Sequence, residues 1–168
     1  MSAALPDRVD VSRQVQARRT YEGNLPLAGL HRLRGSLASV EGELHYVAEF
    51  GRDELGVAFL ALKVDAGLSM VCQRTLETFV FPVSIDQRLG LIDDENGEAA
   101  LPPGYEPLLV ADGALSIADV VEDELILALP VVPLKPGAPL EWKDQADEVE
   151  SESRRPNPFA VLGSLKKN

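Results

Sequence analysis

The sequence predicts an α+β fold: an antiparallel β-meander or barrel-like sheet with N-terminal helices, one buried helix in the C-terminal half, and a flexible charged tail. Two observations carry this. From about Leu44 to Ile85, apolar and polar residues alternate with period two, in runs joined by connections too short for parallel crossovers. Leu115–Leu134 instead repeats its apolar residues at three- and four-residue steps and runs into a proline.

At 168 residues and 45% hydrophobic composition, the chain has enough material for one sizeable core. We divide it into a single domain over 1–140, an acidic linker over 141–155 and a short helical motif over 156–168. A net charge of −11 argues against wholesale coating of nucleic acid and favours solubility and basic protein partners. The start, MSAALPDRVD, has no apolar leader-like run, and no later run is long enough to span a bilayer. A reducing cytoplasm is the expected location, consistent with a single cysteine and no disulfide framework.

Residues Asp7–Arg34 form the one basic neighbourhood. Asp10 or Ser12 starts a predicted helix running to about Tyr21, and Gly23, Asn24 and Pro26 break it. Leu27, Leu30, Leu33 and Leu37 fit a second short helix over Leu27–Leu37. Arg13, Arg18, Arg19, Arg32 and Arg34 are candidate RNA contacts, because guanidinium binds phosphate in a bidentate fashion. The alternative is that they balance acids elsewhere in the molecule.

Leu44–Phe50 reads as a half-buried strand, Gly51–Glu54 as a hairpin connection and Gly56–Val64 as a second strand. Asp65-Ala66-Gly67 carries turn chemistry, so a third strand is expected over Leu68–Gln73. A fourth runs from about Leu76 to Ile85, with Pro82 placing it at an edge or a bulge. The loop Asp93–Glu98 lacks calcium-loop spacing and reads as solvated. Leu108–Val110 is a short strand before the helix.

That helix is capped by Ser116 and stopped by Pro130, with Ile117, Val120, Val121, Leu125, Ala128 and Leu129 on its apolar face. Glu122, Asp123 and Glu124 lie off this face, as a solvated or partner-facing acidic surface. Adjacent helical carboxylates diverge and no His or Cys accompanies them, so they are not a metal or acid/base set. His31 and His45 have no triad spacing. Cys72 is expected to be a buried structural thiol. Trp142 is either a partner anchor or a lid on the domain. Pro156, Asn157, Pro158 and Phe159 open an apolar-edged segment that either docks on the core or meets a partner.

Four stretches together resemble the YceD family, bacterial and plastid proteins linked to accumulation of large-subunit ribosomal RNA. They are CQRTLETF (Cys72–Phe79), LPPGYEPLLV (Leu101–Val110), VVEDELILALPVVPL (Val120–Leu134) and RPNPFAVLGSLKK (Arg155–Lys167). The resemblance implies a ribosome biogenesis factor supporting synthesis, processing or accumulation of 23S ribosomal RNA. Its implied partners are large-subunit ribosomal RNA or a basic large-subunit ribosomal protein, with no membrane and no small-molecule substrate. Many members look like they carry C-Q-R-C with a later His and Cys, a set able to bind zinc. Here Thr75 stands at the second cysteine, and Lys135 and Leu140 occupy the later region, so no metal and no cofactor are expected. No catalytic residue is evident. The alternative is a ribonuclease-type enzyme of precursor processing, which would need converging acid/base or metal groups.

Overall fold

The computed structural model describes residues 5–110 and 112–137. The acidic linker over 141–155, the motif over 156–168, and with them Trp142, Pro156, Asn157, Pro158 and Phe159, lie outside the described residues.

The chain opens with β1 (Val9–Asp10) and α1 (Val11–Ala17), whose first turn is capped by the Asp10 side chain accepting from the Arg13 amide at 2.8 Å. Arg18 takes a left-handed conformation, φ 46°, and ends the helix there rather than at Tyr21. The predicted remainder of that helix is instead β2 (Thr20–Pro26). Tyr21, Gly23 and Leu25 turn inward and their neighbours outward, so a period of two outweighs the turn chemistry of Gly23 and Asn24. Leu27–Leu37 is likewise no α-helix. It forms two 3₁₀ turns, Leu27–Gly29 and Leu33–Ser36, with Leu27, Leu30 and Leu33 buried.

The meander follows as β3 (Glu43–Arg52), β4 (Ala58–Val71) and β5 (Thr78–Ile92), all antiparallel neighbours. Asp65-Ala66-Gly67 makes no turn: β4 runs through it, pairing Asp65 with Ser84 and Gly67 with Pro82. Asp65 and Gly67 face solvent while Val64 and Leu68 are buried, so the alternation is unbroken and turn-forming residues are tolerated. After a 3₁₀ turn, Glu95–Ala100, the short strand β6 (Glu106–Leu109) pairs parallel to β5, where antiparallel pairing alone was expected. Only Leu89–Ile92 of β5 meet β6. Pro82, lacking a donor, therefore sits where one flank of β5 carries no strand.

Among the described residues the sheet order is β2-β3-β4-β5-β6, an open sheet and no closed barrel. β7 (Ala114–Leu115) pairs with β1 and leads into α2 (Ile117–Ala128), capped by Ser116 Oγ accepting from the Asp119 amide at 3.2 Å. The core is one-sided. Tyr46, Ala48, Phe50, Leu60, Leu62, Val64 and Leu89 line the inner sheet face, covered by Val11 and Val15 of α1 and by Ile117, Val120, Val121 and Leu125 of α2. The outer face carries Glu22, Glu43, His45, Glu49, Lys63, Asp86 and Arg88 toward solvent.

Candidate functional site

The proposed arginines divide into two groups. Arg13, Arg18 and Arg19 lie on α1 and at its exit, all exposed. Tyr21 donates from its hydroxyl to Gln14 Oε1 at 3.1 Å, and the Arg19 guanidinium carbon lies 5.9 Å from the centre of its ring. Arg32 and Arg34 follow in the chain after β2, which itself spans roughly 20 Å at strand rise, and after the turn that succeeds it. Among the described residues Arg13, Arg18, Arg19 and Arg34 form no ion pair.

Arg32 is engaged internally, and so is the acid facing it. Glu122 is only 5% exposed. Its Oε1 accepts from the amides of Arg32 (2.6 Å) and Leu33 (3.0 Å), and its Oε2 from Arg32 Nε at 3.0 Å. Arg32 also bonds Asp123 Oδ1 and, at 3.1 Å, the Asp119 carbonyl. Burial raises the Glu122 pKa, but the Leu33 amide, the Arg32 side chain and the Arg32 amide outweigh it and hold the group below its ordinary value. The expected solvent-facing acidic surface on α2 is thus corrected at Glu122, which turns inward to fix the loop before β3. Asp123 is half committed to the same arginine. Glu124 is partly buried, and desolvation, then the charges of Glu106 and Asp123, push its pKa up. Sequence reasoning placed Arg32 and Glu122 in separate binding sites because no local signal links positions 90 residues apart.

Cys72 closes the turn between β4 and β5. Its amide donates to the Glu77 carbonyl (2.9 Å), its carbonyl accepts from Leu76 (2.9 Å), and the neighbouring Gln73 amide reaches the Pro133 carbonyl (2.9 Å). Sγ is fully buried and accepts from the Lys135 amide at 3.3 Å, while Lys135 Nζ meets Glu77 Oε2 at 3.0 Å. Hydrogen bonds from the Lys135 amide and from the Thr75 side chain and backbone lower the thiol pKa to about 6, against the opposing effect of burial. These donors do not fit zinc. Thr75 and Lys135 supply hydrogen bonds where thiolate or imidazole would be needed, and no group of three or more His, Cys, Asp or Glu residues converges among the described residues. Enclosure rather than acidity should control reactivity here. Iodoacetamide is expected to modify Cys72 slowly in the native protein and at least tenfold faster in denaturant, read by mass spectrometry; equal rates would contradict the burial.

His31 is exposed. His45 Nδ1 lies 3.1 Å from Asn24 Oδ1, and Nε2 lies 3.7 Å from Glu22, on the outer sheet face. No helix among the described residues is long and apolar enough to cross a membrane.

Comparison with known proteins agrees with the four sequence stretches. The family model described as large ribosomal RNA subunit accumulation protein YceD matches residues 60–166. A curated relative from Haemophilus influenzae, named large ribosomal RNA subunit accumulation protein YceD, is 30% identical over 167 residues, covering 96% of each chain. No solved structure matches significantly. With the family model over more than half of the chain and the relative over nearly all of it, this protein belongs to the YceD family.

Proposed function

We propose that this protein supports large-subunit ribosomal RNA accumulation as a non-catalytic RNA-binding factor in the cytoplasm, contacting RNA through Arg13, Arg18 and Arg19. The observation that carries this reading is the grouping of three exposed guanidinium groups around α1, without ion pairs among the described residues, in a chain of net charge −11. These three lie within seven residues of one another on and just after α1. Arg34 is an outlying contact, and Arg32 is not available because Glu122 and Asp123 hold it.

Titrating a labelled 23S precursor fragment with the protein at 50 and 200 mM salt tests this. Arg18→Ala with Arg19→Ala is expected to weaken binding at least about tenfold at low salt. It should also flatten the salt dependence by about 1.4–1.8 in log–log slope, as two phosphate contacts disappear. Binding unchanged in the double variant rules the surface out, and cleavage of the fragment by highly purified protein would favour the ribonuclease alternative.

A second reading is supported by the outer sheet face, where Glu43, Glu49 and Asp65 are exposed without ion pairs among the described residues. A basic large-subunit ribosomal protein held there would be retained by the arginine double variant and released when these three acids are changed to Gln and Asn.

A further inference from the structure

We propose that Phe59, Arg88 and Tyr105 form a stacking site for one unpaired base of single-stranded RNA on the outer face of the sheet. The inference rests on the RNA-binding reading above but concerns residues outside α1. It starts from the stretch Leu101–Val110, which supplies only Val110 to the fully buried core, with Leu108 packed against it. Its first half instead covers the end of the sheet.

The register aligns Gly51 of β3, Phe59 of β4 and Gly90 of β5 in one row across the outer face. Both glycines are there to let side chains lie flat. A Cβ at Gly51 would stand 2.5 Å from the Phe59 ring, and one at Gly90 would stand 2.5 Å from Leu101. Phe59 thus lies across β3, and Leu101 lies across β5. Tyr105 completes the surface, its ring centre 6.5 Å from that of Phe59 and tilted by 57°. The Tyr105 hydroxyl donates to Asp53 Oδ2 at 2.8 Å, and Asp53 is itself fixed by the amides of Leu55 (3.0 Å) and Val57 (2.8 Å). The aromatic pair is therefore held in place before any ligand arrives, so little ordering entropy remains to be lost on binding.

Arg88 occupies the next outward position on β5. Its guanidinium carbon lies 4.7 Å from the Phe59 ring centre and 5.8 Å from that of Tyr105; it forms no ion pair within 4.0 Å among the described residues, and its charge acts on the nearby Asp53 carboxylate. The guanidinium thus sits over the Phe59 ring, and the side chain is exposed. An exposed guanidinium is a planar group on which a base can stack, and those of its N–H donors not turned to the Tyr105 hydroxyl can serve a base edge or phosphate. The charge pattern limits the ligand. Glu49 and Asp86 flank Arg88 on the same face, which disfavours a continuous phosphate track and favours a single splayed base.

The experiment is anisotropy titration of the full chain with a fluorescein-labelled twelve-nucleotide single-stranded RNA. Arg88→Ala and Arg88→Lys are both expected to weaken binding about tenfold, because lysine keeps the charge and loses the stacking plane. An abasic strand of the same length should bind the unaltered protein about as weakly as the intact strand binds the variants. Thermal unfolding of both variants should match the parent, separating lost stacking from lost folding. Arg88→Lys binding like the parent, or intact and abasic strands binding alike, overturns the proposal. If the Arg18/Arg19 double variant loses affinity while the Arg88 variants do not, only the stacking site is wrong. If the unaltered protein binds no RNA, the RNA-binding reading fails and this inference with it.

Discussion

Glu122→Gln is expected to lower the unfolding free energy by about 3 kcal/mol at neutral pH, measured by urea denaturation. Glu122 is nearly enclosed and accepts three hydrogen bonds, two of them from consecutive backbone amides. The amide replacement keeps one acceptor oxygen but loses the charge and presents an NH₂ to a donor. The loss is of the order found when one member of a buried ionic network is removed. The same carboxylate predicts a pH dependence. Its native pKa lies below the ordinary value of 4.5, so its stabilisation is complete above that value and disappears as pH falls through the native pKa. The gap between parent and Glu122→Gln should therefore narrow in acid, starting below about pH 4.5. A gap that stays constant from pH 7 to pH 3 would contradict this. Arg32→Ala should cost less, because Arg32 is half exposed and Glu122 keeps both amide donors.

Phe50→Ala is expected to cost about 3–5 kcal/mol, again by denaturant titration. Phe50 is among the largest fully buried side chains, and Tyr21 meets it edge-on with ring centres 6.3 Å apart at 80°. Its amide donates to the Arg19 carbonyl at 2.9 Å. The cavity left by alanine therefore opens beside the junction of α1 and β2, where Arg18 and Arg19 are placed. RNA affinity should fall along with stability, whereas Leu127→Ala, truncating an exposed side chain of α2, should leave both near the parent values. Equal stability of Phe50→Ala and the parent would show that the inner face of β3 is not the centre of the core.

These two positions also mark how far the sequence could be read. Period-two patterning located β3, the two ends of β4 and the first half of β5, and the cap-to-proline span located α2 almost to the residue, because both signals are local. Breaker and turn chemistry misread Thr20–Pro26 and Asp65–Gly67, where such residues sit within a strand whose inward neighbours keep the alternation. Tyr21 and Leu25 carried that signal and were outweighed by Gly23, Asn24 and Pro26. Leu27–Leu37 had helical spacing, but its amides at Arg32 and Leu33 are used by Glu122 instead of an α-helical ladder. The arginine neighbourhood was visible as composition; its division was not, since Arg32 is held by Glu122 and Asp123 from a helix 90 residues on. The row Gly51, Phe59, Gly90 was also hidden, because it exists only once register is fixed.

The pairing of Val9 with Leu115 and the grip of Glu122 on Arg32 both join points about ninety residues or more apart. During synthesis at roughly 5–20 residues per second, the first strand must wait some 5–20 s before its partner exists. The β3–β4–β5 meander, made of neighbours in sequence, can assemble during that interval. The last event is then a closure in which α2 arrives over a preformed sheet and captures the Leu27–Ser36 loop. Nascent chains stalled before Ile117 would expose the part of the apolar inner face that α2 covers, a natural substrate for chaperones.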